Sequence, residues 1–312
     1  NECVASEKFG VPGIPNSVED VITARDIFLA HETGAKLHIC HCSTIGTVEL
    51  MRMAKRLGAH VTAEVCPHHF TLTDADIKEA NSNYKMNPPL RTEKDVKALV
   101  EGLVDGTMPA ISTDHAPHSA EEKAQFFDKA PFGIVGLETS AALTYTALVA
   151  PGLMDIMDMA TKMSYNPAKI IGIDDKYGRL TPGAKADIVI FDPEETWVVD
   201  PIKFESKGHN TPYTGQTLVG KVLTTIVDGE LRYKDSEGYY LTDSWKKKDG
   251  EWYYLNEDGY ISRSCMIDEY YVNEEGRRVM NQWVSEANED EWDSEAPDTY
   301  WYYYGNDRRS VI

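Results

Sequence analysis

In the first 180 residues, segments whose apolar residues are typical of buried strands alternate with segments whose apolar residues have helical spacing. Short apolar runs that end in polar residues predict buried strands at 36–43, 60–67 and 108–114. Apolar residues spaced three and four apart predict helices at 17–34, 47–57, 93–103, 133–149 and 154–163. Residues 1–16 are punctuated by Gly and Pro and predict a loop, after which Ser17 is predicted to cap the first helix. Strands alternating with helices predict an α/β fold with a parallel sheet and right-handed crossovers.

Beyond residue 182 the pattern changes to short β-rich runs, 187–192 and 224–229, which predict a small β unit. From residue 239 onward, aromatic runs and Asn/Asp/Gly turns recur at a spacing of roughly 20 residues. This pattern predicts a tail of β-hairpin repeats. We therefore expect three parts, at 1–180, 181–234 and 235–312.

Charge and cysteine content restrict the class of partner. The net charge of −20 argues against nucleic acids and anionic membrane surfaces as partners. Residues 235–312 hold 19 Asp and Glu against 8 Lys and Arg, together with five of the six tryptophans, so this segment differs in composition from the rest. No run is apolar and long enough to predict a membrane span. The five cysteines form no CxxC pair and no even-numbered framework, which favours a reducing compartment for residues 1–234 and predicts a cytoplasmic location.

Polar residues with metal-binding or acid–base chemistry follow each predicted strand. The stretch ISTDHAPH, residues 111–118, places Asp114 at the end of the third strand, and His41 follows the first. His68 and His69 follow the second, and the alternative to a ligand role has one of their rings capping the loop and the other facing solvent. Imidazole and carboxylate ligands suit zinc, although catalytic zinc normally takes three protein ligands. The alternative is that these side chains serve only as hydrogen-bonded loop residues.

Several ordered motifs resemble the later half of a bacterial dihydroorotase, within the amidohydrolase superfamily. They are KLHICHCST, TAEVCPHHF, YKMNPPLR, ISTDHAPHSAEEK and APFGIVGLET, with GRLTPGAKADIVIFD resembling the small β segment of the superfamily. The resemblance implies a partial (β/α)8 barrel of the TIM type that holds zinc. It also implies interconversion of N-carbamoyl-L-aspartate and L-dihydroorotate in pyrimidine biosynthesis. Hydantoinase-like or allantoinase-like cyclic amidase activity is the alternative within the same class.

The resemblance implies a role for each matching residue. His41 and Asp114 would ligate zinc, and Asp114 would also transfer the proton that reaches the ring nitrogen. The substrate would be held by the side chains of Asn87 and His118 and by the backbone at Phe132 and Gly133.

The family's first-strand HxH pair and its Arg, its fourth-strand carboxylate or carboxylated lysine, and its fifth-strand His have no counterpart in this sequence. We expect these groups to precede Asn1, and we expect the chain by itself to be an incomplete and inactive enzyme.

The tail resembles choline-binding or cell-wall-binding repeats. The best match is WKKKDGEWYYLNEDG, in which Trp245, Trp252 and Tyr254 are candidate choline contacts through cation–π interactions. Its aromatic residues would otherwise serve as the core of the hairpins. A second hypothesis for the whole chain is thus a choline-binding or cell-wall-binding fusion protein with a remnant barrel. Such repeats predict the cell surface, in conflict with the cytoplasmic expectation for the first part.

Overall fold

The computed structural model describes residues 4–231, 244–248, 250–256, 260–268, 270–287, 299–304 and 309–310. The chain forms two compact units, Asn1–Lys185 with Ile190–Leu223, and Ala186–Val189 with Thr224–Ile312. The division into parts at 1–180, 181–234 and 235–312 stays a prediction. No helix in the described ranges is long and apolar enough to cross a membrane.

Nine α-helices lie in the described part of the first unit. They are α1 Val4–Phe9, α2 Asn16–Thr33, α3 Ile45–Leu57, α4 Pro67–Thr71, α5 Glu93–Val104, α6 Ala120–Lys123, α7 Leu137–Thr144, α8 Ile156–Ala160 and α9 Asn166–Ile171. Two π-helical turns, Tyr145–Val149 and Thr161–Tyr165, extend α7 and join α8 to α9. Short 3-10 turns lie at Asp74–Asp76, Ser82–Tyr84 and Pro201–Lys203.

The first unit contains a three-stranded parallel sheet with the order β1-β2-β3. Its strands are β1 Leu37–Ile39, β2 Val61–Val65 and β3 Ala110–Ile111. Leu37 pairs with Val61, and Glu64 pairs with Ala110. The predicted alternation of strands and helices is present, because α3 connects β1 to β2 and α4 and α5 lie between β2 and β3. Within the described residues these three strands form an open sheet and not a closed barrel.

The core of this unit lies between the sheet and its crossover helices. Val48 and Met51 of α3 and Leu99 and Leu103 of α5 are buried there with Val65 of β2. Burying each large aliphatic side chain contributes about 1.5–3 kcal/mol. The opposite face of the strands bears His38 and Glu64, whose side chains contact each other.

Three local predictions are wrong. Residues 4–9 form helix α1 although loop was predicted, because the Gly and Pro residues begin only at Gly10. Ser17 does not cap α2, which begins at Asn16 after Pro15 without a side-chain cap. The helix predicted at 133–149 begins at Leu137, because Gly133 has a φ of 120° and cannot continue a helix.

The strands after residue 186 form further sheets. One sheet has the order β4-β5-β6, from β4 Ile188–Val198, β5 Thr217–Val227 and β6 Glu230–Leu231. The described residues of the second unit form three further hairpin sheets. Their strands are β7 Ser244–Lys248, β8 Glu251–Leu255, β9 Cys265–Ile267, β10 Tyr270–Val272, β11 Gln282–Ala287, β12 Thr299–Tyr304 and β13 Arg309–Ser310. Aromatic hairpins are thus present, while their repeat character stays a prediction.

Candidate functional site

Two residues predicted as metal ligands stand at strand ends in an unusual backbone conformation. His41 lies two residues after β1 with a φ of 39°, and Asp114 lies three residues after β3 with a φ of 45°. Non-glycine residues rarely adopt this left-handed region, and those that do cluster at functional sites. Both side chains are half-buried.

Burial and two neighbouring ionisable side chains affect the pKa of Asp114. Burial raises the pKa of Asp114, the nearby charge of His41 opposes this rise, and the negative charge of Glu64 adds to it. A carboxylate with a raised pKa is better suited to accept and return a proton near neutral pH.

Glu64 organises the end of β1, and sequence reasoning did not find it. Its carboxylate is 3.0 Å from Nε2 of His38 and accepts a 3.4 Å hydrogen bond from the backbone N–H of His41. Burial would raise the pKa of Glu64, but hydrogen bonds from His38 and Ser112 lower it. The available signal was strand alternation, since Glu64 is two residues from Thr62, the cross-strand partner of His38, and therefore faces the same side of the sheet.

His68 and His69 lie on α4, and the alternative interpretation in which one of them faces solvent is wrong. Each is only 2% exposed, because Pro67 starts α4 directly after β2 and turns both rings into the interior. Nε2 of His68 lies 3.9 Å from Oδ2 of Asp114, and Nε2 of His69 lies 2.9 Å from the carbonyl of Pro88. Burial lowers the pKa of both imidazoles, so both are neutral at pH 7.

Three of the four residues predicted to bind substrate lie in the segment between β3 and α7, on either side of α6. Nε2 of His118 is 2.9 Å from the carbonyl of Phe132. A Cβ on Gly133 would lie 2.4 Å from Cβ of Ala116, so only glycine permits this approach. Asn87 is exposed and precedes a cis peptide bond to Pro88.

The backbone groups of Gly133 are already hydrogen-bonded within the chain. Its N–H donates to the carbonyl of Lys85 over 2.9 Å. Its carbonyl accepts 3.0 Å hydrogen bonds from Nζ of Lys123 and from Nδ2 of Asn210. Gly133 therefore shapes the loop through its backbone.

Lys85, Lys123 and Asn210 hold this loop, and sequence reasoning found none of them. Nζ of Lys85 donates to the carbonyl of Ala130 over 2.6 Å, and Nζ of Lys123 donates to that of Pro131 over 3.0 Å. Burial, with the charge of Lys85, lowers the pKa of Lys123 to about 8. Asn210 donates to the carbonyl of Ala116 and accepts from the backbone N–H of His118, each over 3.0 Å.

The strand ends offer zinc a partial set of ligands. His41 supplies an imidazole and Asp114 a carboxylate, which are two of the three protein ligands normal for catalytic zinc. Among the described residues, three-donor groups with ligand atoms within 4.8 Å occur as Cys66, His68 and His69, and as His38, Cys40 and Glu64. Neither group contains His41 or Asp114, so this pair fits zinc chemically but does not complete a site.

Comparison with known proteins defines the family. Residues 17–232 match the family model described as "Amidohydrolase family", which is more than half of the chain. The chain belongs to the amidohydrolase family. The dihydroorotase of Pelotomaculum thermopropionicum is 51% identical over 235 residues, covering 75% of this chain and 55% of that protein. The dihydroorotase of Clostridioides difficile is 52% identical over 230 residues, covering 74% and 53%. The resemblance to dihydroorotases in the motifs is confirmed.

Solved structures of amidohydrolases share the fold. The L-hydantoinase (dihydropyrimidinase) of Arthrobacter aurescens matches with a TM-score of 0.69 and 29% identity, over 73% of this chain and 51% of that one. The dihydropyrimidinase of Brevibacillus agri NCHU1002 matches with a TM-score of 0.66 and 24% identity, over 72% and 50%. This amidohydrolase chain spans about half the length of the curated relatives it matches.

In the second unit, two of the candidate choline contacts form a cluster. The ring centroid of Trp245 lies 5.3 Å from that of Tyr254 and 5.5 Å from that of Tyr270. The guanidinium of Arg278 lies 3.7 Å from the centroid of Tyr270 and 5.9 Å from that of Trp245. Trp252 lies instead against Lys247, 5.8 Å from its Nζ. Among the described residues, cationic side chains of the chain itself thus lie against these rings.

Proposed function

We propose that this chain carries the later part of a zinc-dependent dihydroorotase site, acting on N-carbamoyl-L-aspartate and L-dihydroorotate in pyrimidine biosynthesis. The observation that carries the proposal is the pair His41 and Asp114. Both follow strands of the same parallel sheet, both have a positive φ, and both lie within motifs that resemble those of dihydroorotases. The first-strand, fourth-strand and fifth-strand groups of the family have no counterpart in the sequence, so the proposal concerns a contributing part of the site.

His41 and Asp114 are the residues of this chain that would hold the metal. Zinc, when bound, polarises the amide carbonyl and lowers the pKa of a water molecule to about 7. Asp114 accepts a proton from the attacking water and delivers it to the ring nitrogen as the ring C–N bond breaks. Ring closure runs through the same proton transfer in reverse. Such positioned proton transfer contributes about 10²–10⁴-fold to a rate.

Substrate binding is proposed for the side chains of Asn87 and His118. His118 is oriented by the carbonyl of Phe132 at Nε2, and its Nδ1 lies 3.5 Å from Glu122. The backbone at Phe132 and Gly133 is proposed to hold the substrate as well. The Phe132 carbonyl keeps a second lone pair beside its contact with His118, whereas the Gly133 amide already donates to Lys85.

A chimera tests the substrate class. Residues 17–232 would replace the matching segment of the Pelotomaculum thermopropionicum dihydroorotase, which keeps its own upstream residues. We expect ring opening of dihydroorotate to exceed that of hydantoin and allantoin. We also expect His118→Ala to raise KM, while His60→Ala, an exposed histidine elsewhere, leaves KM unchanged. A folded chimera that prefers hydantoin or allantoin would contradict the dihydroorotase proposal and favour the alternative cyclic amidase.

For the aromatic hairpins we propose a packing role in which Arg278 occupies the place of an external cation. The contacts of Arg278 with Tyr270 and Trp245 support this. Choline binding by Trp245, Trp252 and Tyr254 is the competing proposal. Retention of the full chain on a choline resin, with elution by free choline, would favour choline binding over packing alone.

A further inference from the structure

Three potential metal ligands form a buried cluster just after the C-terminal end of β2. Cys66 follows β2 directly, and His68 and His69 lie in the first turn of α4. One ligand atom from each residue lies within 4.8 Å of the other two. Cys66 is 0% exposed and each histidine is 2% exposed. A site here would be made from side chains that the surrounding fold already holds in place.

Two ring nitrogens of this cluster are buried without a hydrogen-bond partner, Nε2 of His68 and Nδ1 of His69. Leaving a buried polar group unsatisfied costs about 1–3 kcal/mol. Nε2 of His69 is 2.9 Å from the carbonyl of Pro88, which can only accept, so Nε2 carries the proton and Nδ1 presents a lone pair. A carbonyl that orients the far ring nitrogen in this way is typical of metal-bound histidines.

We propose that Cys66, His68 and His69 bind one thiophilic divalent ion such as Zn²⁺ or Cd²⁺. On binding, the Cys66 S–H bond breaks, its proton leaves to solvent and the sulfur forms a bond to the ion. Two neutral imidazoles each donate a lone pair, and nothing is oxidised or reduced. The Asp114 carboxylate, with Oδ2 3.9 Å from Nε2 of His68, adds a negative charge beside the ion.

The second three-donor group, His38, Cys40 and Glu64, is a poorer candidate. Nε2 of His38 already pairs with the Glu64 carboxylate at 3.0 Å, and Nδ1 of His38 pairs with Thr62 at 2.8 Å. A metal there would have to break existing hydrogen bonds. At the Cys66 cluster it would satisfy two orphaned nitrogens, and the 3.3 Å contact between Cys66 Sγ and Ser112 Oγ persists with the hydroxyl as donor. A buried water is the competing occupant of the Cys66 cluster.

Cadmium titration of the full 312-residue chain, stripped of metal, tests the proposal. Thiolate ligation gives an ultraviolet charge-transfer band, which we expect to saturate at one equivalent. The band should be lost in Cys66→Ser and kept in Cys40→Ser, the matched control from the other group. It should also remain in His41→Ala, a variant that removes the proposed catalytic ligand. The cadmium band thus tests the metal cluster, while the activity of the chimera tests the dihydroorotase proposal. Either proposal can fail without the other.

X-ray absorption on the zinc-loaded wild-type chain provides a measurement that does not depend on a folded variant. We expect one sulfur at about 2.3 Å with nitrogen ligands at about 2.0–2.1 Å. A first shell without sulfur would overturn the proposal. So would a cadmium band that persists in Cys66→Ser or disappears in Cys40→Ser. Absence of any saturable band would leave water as the occupant and would equally overturn it.

Discussion

Replacing Glu19 with alanine should destabilise the first unit strongly. Glu19 is in the first turn of α2, yet its carboxylate accepts 2.8 Å hydrogen bonds from the backbone N–H of Ser43 and from Oγ1 of Thr47. It also accepts from the Ser43 hydroxyl and lies 3.6 Å from Nη2 of Arg91. The Arg91 side chain is 2% exposed and that of Glu19 is 13% exposed. Water can therefore replace few of the hydrogen bonds that the Glu19 carboxylate makes.

The expected cost is at most about 3–5 kcal/mol, the range for removing one partner of a buried ion pair, since the carboxylates of Asp20 and Asp95 remain near Arg91. Urea unfolding followed by helical circular dichroism would measure it, since the described α-helices all lie in the first unit. Glu32→Ala, at an exposed position of the same helix, is the control and should change stability by less than about 0.5 kcal/mol. A Glu19→Ala midpoint equal to that of the control would refute the reasoning. Because Ser43 follows His41 by two residues, we also expect weaker metal binding at His41.

Other consequences follow from burial and backbone geometry. Without metal, stability should fall as pH drops from about 6.5 towards 4, because the lowered pKa values of His68 and His69 let the unfolded chain bind protons that the folded chain does not. Each histidine contributes at most about 1.4 kcal/mol per pH unit; urea midpoints at pH 7 and pH 5 that coincide would contradict this. Gly133→Ala should destabilise the protein by more than Gly152→Ala. Both glycines have a positive φ, but of these two only Gly133 would place a Cβ against a neighbour, Ala116. A lower melting temperature for Gly152→Ala than for Gly133→Ala would refute this clash. Asn210→Ala should cost about 1–3 kcal/mol and speed hydrogen exchange of the His118 amide, which an unchanged exchange rate would disprove.

Local patterns predicted the crossover helices well. α3 and α5 have apolar residues at helical spacing because one face of each packs on the sheet, and Gly58 ends α3 in the left-handed conformation. The strands were predicted in the right places but too long, since polar residues after Ile39 and Ile111 turn away from the sheet. Helix α1 was missed because it is short and followed by Gly10 and Pro12.

The residues that complete the candidate site could not be predicted because their contacts are distant in sequence. Asn210 donates to the carbonyl of Ala116, 94 residues away, and Glu64 pairs with His38, 26 residues away. Burial of His68 and His69 depends equally on how α4 packs, which no local pattern records. By contrast, His41 and Asp114 could be predicted, because each lies in a short motif that is recognisable in the sequence itself.

The most direct test is the rate of dihydroorotate ring opening by the chimera that contains residues 17–232, compared with the same chimera carrying Asp114→Asn. Asparagine keeps the shape of the side chain but cannot take up the proton. We expect a loss of about 10²-fold or more, with the fold unchanged by circular dichroism. A variant that retains the rate of the parent chimera would show that Asp114 does not transfer the proton, and it would contradict the proposed site.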